Sequence, residues 1–480
     1  MSDNTLYWHD YETSGIDARR DRPLQFAGIR TDEALNEIGK PLDIYCKPAD
    51  DLLPNPDACL VTGLAPQDLM DKGVTEAEFI RLIHAELARP GTCGCGYNTL
   101  RFDDEFTRNT LYRNFYDPYA REWQNGNSRW DIIDMARATR ALRPAGIEWP
   151  DRENGNPDFK LEALTRANGI AHEAAHDALS DVRATIAVAR LIRERQPRLY
   201  DYLYRLRSKR LAAGQIDVRE MKPVLHTSGM ISGEFYCTTL VAPLAMHPAN
   251  KNGVIVYDLR YDPAPLIEFD ADTIRERLFT PLAEQGEGAE RIPLKTVHLN
   301  KCPVLVTPKT LNPGAEARLQ LDVGQCLKHL ERLKATHGLA QKIGEIFEAG
   351  RFEPETDPDL ALYGGSFFSD KDRARMEVIR STPPAELGKL ALPFDDPRIP
   401  EMLFRYRARN YPETLAAGEQ ARWLEYRRQR LSNPDGGGSI TLEQYSARLA
   451  ELSAEPGTTA ARRALLNRLK AYGEALRASL

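Results

Sequence analysis

Hydrophobic and polar positions change period repeatedly along this chain, and each change marks an expected element. Residues 5–12 (TLYWHDYE) form a short, aromatic-rich run entered from a polar terminus, the pattern of a buried strand. Residues 26–32 and 37–47 alternate as two further strands joined by a short acidic turn. Residues 52–69 are Pro-rich and broken, whereas Phe79, Ile80, Leu82, Ile83 and Leu87 recur at helical spacing within 76–87. Small, apolar residues at 92–98 suit a strand that needs close backbone approach. Helices are expected from Asp103 onward within 101–116, at 130–142, at 160–168, and around Val182, Ile186, Ala189 and Leu191, with Pro197 as the stop. Strand patterns then dominate at 224–227, 234–241, 254–259 and 297–306. Residues 350–366, rich in Pro, Gly and acid, form the clearest linker. Beyond it the pattern is helical, at 372–381, 401–409, 419–430, 442–454 and 460–480.

A chain of 480 residues exceeds one hydrophobic core, so about two to four domains are expected. Its 70 acidic and 64 basic residues leave a net charge of −6, so nucleic acid could bind only through localised basic surface. Seven scattered cysteines suggest reduced thiols rather than a disulfide framework. Cys93 and Cys95 are the one close pair, without a second pair at zinc spacing. No signal-peptide pattern occurs, and no apolar stretch approaches the roughly 20 residues of a membrane span. These readings predict a soluble, cytoplasmic protein. The Gly-rich stretch 433–439 lacks the Lys and Ser/Thr of a phosphate-binding loop, and no internal repeat is present.

The candidate chemistry begins at the first strand. Side chains alternate faces, so Asp10 and Glu12 point the same way before Thr13, Ser14 and Gly15 break the run. Paired carboxylates repel unless a cation neutralises them, and hard divalent ions take such oxygen ligands. A solvated acidic strand end is the competing reading. Asp103, Asp104 and Glu105 open a helix whose dipole favours negative charge, although a carboxylate there can also reach strand ends where ligands bind. Asp181 falls near the start of a helix, and His176 lies five residues earlier on the approach to it.

Together these positions resemble the DEDDh 3′–5′ exonucleases: Asp10 and Glu12, Asp103, then His176 with Asp181. The blocks HDYETSG, GYNTLRFDDEFTRNTLYRNFYDPY, HDALSDVRATIA, MKPVLHTSGM, HLNKCPVL and LFRYRARNYP look like the bacterial exodeoxyribonuclease I family, nearly end to end. Asp177 occupies the position where the sister branch has Tyr, so the His branch fits. The resemblance implies an α/β, ribonuclease H-like exonuclease domain with a mixed sheet (1–196). An SH3-like β domain follows (197–350), with helical insertions matching 273–284 and 325–349, and then an all-helical C-terminal domain (355–480). It implies hydrolysis of single-stranded DNA from the 3′ end to 5′-mononucleotides, in DNA repair and recombination. Asp10, Glu12, Asp103 and Asp181 would hold two Mg2+ ions, with Mn2+ as a substitute, and His176 would be the general base.

Between Met402 and Arg430 stand seven Arg, no Lys and three Glu, either a wall for phosphates or a set of internal ion pairs. Thr13, Arg405, Tyr406, Arg407 and Arg409 are the candidate DNA contacts, with Trp423 as a further aromatic surface for bases. Residues 198–211 interleave five basic residues with Tyr200, Tyr202 and Tyr204, the pattern of an amphipathic helix with a solvated basic face. By resemblance, Arg143, Tyr202 and Lys222 would dock the acidic C-terminal tail of single-stranded DNA-binding protein, and the enzyme would be a monomer. An RNA-trimming exonuclease and a non-catalytic single-strand adaptor are the rival readings. The first would be marked by an RNA-binding module, the second by loss of a carboxylate.

Overall fold

The computed structural model describes residues 4–172, 177–281, 284–285, 291–348 and 355–480. The chain forms two compact units: residues 1–128, 172–183 and 353–480 make one, and residues 129–171 and 184–352 make the other.

In the first unit, β1 (Thr5–Thr13), β2 (Pro23–Thr31), β3 (Leu42–Tyr45) and β4 (Thr92–Gly96) run in the order β3-β2-β1-β4. β1 pairs antiparallel with β2 and parallel with β4, so the sheet is mixed. All nine residues of β2 are buried, as in strands covered on both faces. The expected strand at 37–47 is shorter in the structure: Leu42–Tyr45 form the ladder with β2, Glu37 makes an isolated bridge to Thr31, and Ile38 to Lys40 are exposed.

The Pro-rich stretch folds as two short helices, α1 (Pro56–Thr62) and α2 (Pro66–Lys72). Proline opens each of them, where its missing N–H costs nothing and its fixed φ suits the first turn. Periodicity alone misses this because seven residues are too few to show it. α3 (Glu76–Leu87), capped by Thr75, buries Phe79, Ile80, Ile83 and Leu87 against Tyr7, Tyr11 and Phe26. That packing consumes one face of β1 and turns Asp10 and Glu12 to the other. α4 (Asp103–Arg113) follows β4.

The C-terminal helices belong to this same unit. Leu431, Leu442, Tyr445, Leu449, Leu466, Leu469 and Leu476 form one apolar cluster with Leu53 and Cys59. Met376, Ile379, Ile399, Met402 and Tyr406 form another with Tyr112 and Phe115 from α4 and its exit. The expected linker is partly structural: Asp359, Leu360 and Ala361 are buried, and Arg19 donates to Glu355 at 2.6 Å and to the Leu360 carbonyl at 3.2 Å.

In the second unit, a five-stranded sheet runs Val304–Val306, Val224–Thr227, Thr238–Met246, Gly253–Asp258, Leu294–His298, antiparallel throughout. The expected strand at 297–306 is two strands separated by a turn at residues 299–301. The expected helix at 325–349 is likewise two, Val323–Ala335 and Leu339–Ile346, separated at Gly338 with φ 74°. At 130–142 a short strand, Ser128–Asp131, precedes the helix Ile132–Leu142, and the Asp131 carboxylate caps it by accepting from the Ile133 amide at 3.1 Å. No helix among the described residues is long and apolar enough to cross a membrane.

Candidate metal centre

β1 extends past β4, whose pairing with it ends at Trp8 opposite Cys95. Asp10 and Glu12 therefore stand beyond the last parallel pair, at the carboxyl ends of the strands, where α/β folds place ligands. A register shift between Glu12 and Thr13 then turns the chain. The turn itself is built from side chains. Asp21 accepts from Ser14 Oγ at 3.2 Å, from the Asp17 amide at 3.0 Å and from Ser439 Oγ at 2.7 Å. A Cβ on Gly15 would sit 2.4 Å from Asp21 Oδ2, so only glycine admits that carboxylate.

Asp181 arrives on the helix Ala178–Arg195, in its first turn. Single oxygens of Asp10, Glu12 and Asp181 lie within 4.8 Å of one another. Asp103, on the first turn of α4, is buried and accepts from the Tyr11 amide at 3.0 Å, between the two β1 carboxylates in sequence. Thr107, one turn on, donates to the Asp103 carbonyl at 2.9 Å, and its hydroxyl lies 3.0 Å from the Tyr11 hydroxyl. α4 is thereby locked to β1.

Burial, then the negative charges of Asp103, Glu12, Asp181 and Asp177, push the Asp10 carboxyl well above the ordinary range. Burial, then Asp181, Asp103 and Asp177, push Glu12 up to about 8. Carboxylates that repel at this distance and resist ionisation are a donor set that a hard divalent cation satisfies. All four acidic residues expected from the sequence thus meet at one place. His176 lies outside the described residues.

Sequence reasoning did not single out His172. Its Nε2 lies 2.5 Å from Asp181 Oδ1. Its signal was a second His four residues before His176, on the same approach to Asp181.

The other candidates lie elsewhere. Thr13 is buried, and its hydroxyl donates to the Gly15 carbonyl at 2.7 Å, shaping the turn. Arg405, Tyr406, Arg407 and Arg409 do not form an open basic wall. Arg405 pairs with Asp357 at 2.5 Å, Asp359 at 3.1 Å and Glu401 at 2.8 Å. Arg407 pairs with Glu419 at 2.5 Å, and Arg409 with Asp51 at 2.9 Å and Asp359 at 2.6 Å. Tyr406 is buried edge-on against Phe115, and Trp423 is buried with its indole N–H on Asp50 at 3.0 Å. A desolvated guanidinium must find carboxylates, and the acidic stretch read as linker supplies two of them.

Arg143 and Tyr202 line a cavity of about 560 Å³ with Leu142, Leu199, Val306 and Thr310. Arg143 donates to the Thr310 carbonyl at 3.1 Å and Tyr202 to the Leu305 carbonyl at 2.7 Å. Lys222 is exposed and is not among the lining residues.

Comparison with known proteins finds matches along nearly the whole chain. Residues 7–189 match a family model described as exonuclease, 207–349 the exonuclease I SH3-like domain, and 356–476 the exonuclease I C-terminal domain. The chain is 49% identical to exodeoxyribonuclease I of Escherichia coli over 472 residues, covering 98% of each. Among solved structures it is similar to a moderately thermophilic exonuclease I from Methylocaldum szegediense, at 54% identity and a TM-score of 0.95, covering 98% of this chain and 99% of that one. It is also similar to the zinc-bound form of the E. coli enzyme in complex with single-stranded DNA, at 48% identity and a TM-score of 0.94, covering 99% and 100%.

Proposed function

Because this chain belongs to the exonuclease I family, we propose that it is a divalent-metal-dependent exonuclease that removes 5′-mononucleotides from the 3′ end of single-stranded DNA, in DNA repair and recombination. The observation that carries the reading is the meeting of Asp10, Glu12 and Asp181 within 4.8 Å, with Asp103 anchored to the strand between them.

Asp10, Glu12, Asp103 and Asp181 would hold two Mg2+ ions, with Mn2+ as a substitute. Bound there, the ions would supply charge stabilisation to the attacking and leaving oxygens of an in-line displacement. The protein's own residues set the conditions. α4 and β1 fix three carboxylates through backbone contacts, and burial keeps water from screening them. His176 would accept the proton of the attacking water.

The cavity around Arg143 and Tyr202 supports docking of the acidic tail of single-stranded DNA-binding protein. Its floor of Leu142, Leu199 and Val306 suits a terminal aromatic residue, while Arg143 and Arg198 suit a carboxylate. Lys222 would add long-range attraction from outside the cavity. The protein is read as a cytoplasmic monomer.

The test is incubation with 3′-labelled single-stranded DNA, duplex DNA and RNA, with Mg2+ and with chelator. Metal-dependent release of mononucleotides from single-stranded DNA alone is expected. Preference for RNA would favour an RNA-trimming enzyme, and binding without cleavage would favour an adaptor.

A further inference from the structure

His172 and Asp181 make a contact that the mechanism above leaves unused. Nε2 of His172 lies 2.5 Å from Oδ1 of Asp181, and only 4% of the imidazole is exposed against 16% of the carboxylate. The residues facing Asp181 from the sheet, Asp10 and Glu12, are both anionic when ionised. Repulsion from that pair, when ionised, acts to turn the Asp181 carboxylate away, and the contact with His172 opposes that turn. A ring nitrogen this close to a carboxylate oxygen is a donor, which places a proton on Nε2. Metal-binding carboxylates elsewhere are held in the same way by hydrogen bonds from behind, and removing the partner weakens the ligand although the ligand itself stays.

We propose that His172 is a positioning residue of the metal centre, donating from Nε2 to Asp181 so that this carboxylate faces Asp10 and Glu12 before any cation arrives. The role rests on reading Asp10, Glu12, Asp103 and Asp181 as the metal ligands. It differs from that of a general base, because His172 touches a ligand and acts through it. It also divides labour between two histidines four residues apart: His172 sets the site, and His176 would serve the reaction. The two roles predict opposite responses to metal concentration. A poorly oriented ligand is compensated by more cation, whereas a missing base is not.

The experiment measures Mn2+ binding to the full chain without DNA, from the loss of the free-ion paramagnetic resonance signal. It compares the parent, His172→Ala and His172→Gln, with melting in chelator to verify folding. His172→Ala should bind Mn2+ about 10–100-fold more weakly. His172→Gln should regain most of that affinity, since its amide can donate from a similar reach. Turnover of single-stranded oligonucleotides by His172→Ala should approach the parental rate at saturating Mn2+. Unchanged affinity in His172→Ala, or His172→Gln no better than Ala, overturns the role of His172 while leaving the metal centre standing. So does a rate deficit that saturating Mn2+ leaves untouched. A parent that binds no Mn2+ at all overturns the metal centre and this role with it.

Discussion

The carboxylates at the end of β1 are kept where an apo protein would rather not have them, and this has measurable consequences at single residues. Replacing Asp10 by Asn removes a carboxyl that, on folding without metal, must either take up a proton or stay charged against Asp103, Glu12 and Asp181. Asp10→Asn should abolish turnover yet raise the melting temperature in chelator at neutral pH, as strained functional sites do when relieved. A melting temperature lowered by the same substitution would contradict the repulsion. Glu12 gives the pH dependence. Its folded-state pKa of about 8 lies above the ordinary 4.5, so between those values the folded chain holds more protons than the unfolded one. Stability in chelator should therefore fall as pH rises across that window. Divalent metal should remove the loss, because cations then replace the protons. Thermal melting from pH 5 to 8, with chelator and with Mn2+, checks both, and a flat chelator profile would count against the buried pair.

At the scale of elements, the helix Arg398–Asn410 is held by charge as much as by its apolar face. Arg409 bridges Asp51 and Asp359, each buried to 2% exposure. Arg409→Ala should cost about 1–3 kcal/mol, since two desolvated carboxylates each lose one guanidinium partner while Arg405 stays on Asp359 and Arg430 on Asp51. Urea denaturation measures it. Unchanged stability with weakened, less salt-dependent oligonucleotide binding would instead restore Arg409 as a phosphate contact.

The same helix explains what the sequence could and could not disclose. The proposed metal ligands Asp10, Glu12, Asp103 and Asp181 were legible through the family resemblance, since strand alternation and helix starts place them locally but leave their role open. The Arg partners were illegible because Asp51, Asp357 and Asp359 lie tens to hundreds of residues away. Composition cannot distinguish an Arg aimed at phosphate from one aimed at Asp. α1 and α2 escaped notice for want of length, and His172 because one histidine drew the attention due to two. Ser439 is a similar case, reaching Asp21 from a Gly-rich loop that matched no phosphate-binding motif. Ser439→Ala should loosen the turn after β1 and lower the rate several-fold with little change in melting temperature, and equal rates would refute the link.

At the scale of the whole molecule, the C-terminal helices complete the core of the first unit. Leu53 and Cys59 share their apolar cluster with residues from 431 to 476, and Tyr112 and Phe115 share theirs with residues from 376 to 406. Deleting residues 356–480 should therefore unfold the unit that carries the proposed metal site. Limited proteolysis and circular dichroism of the truncated chain test this, and a folded, active remnant would show that residues 4–128 need no help. The shared cluster also sets a schedule for synthesis. A ribosome adding about 5–20 residues per second takes roughly 20–80 s to pass from Cys59 to Leu466. Until then Leu53 and Cys59 lack their apolar cover, and the unit that holds the carboxylates is incomplete. A half-made chain is thus held back from any strand of DNA near it, and stalled nascent chains ending before residue 466 are expected to remain open to protease throughout residues 4–128.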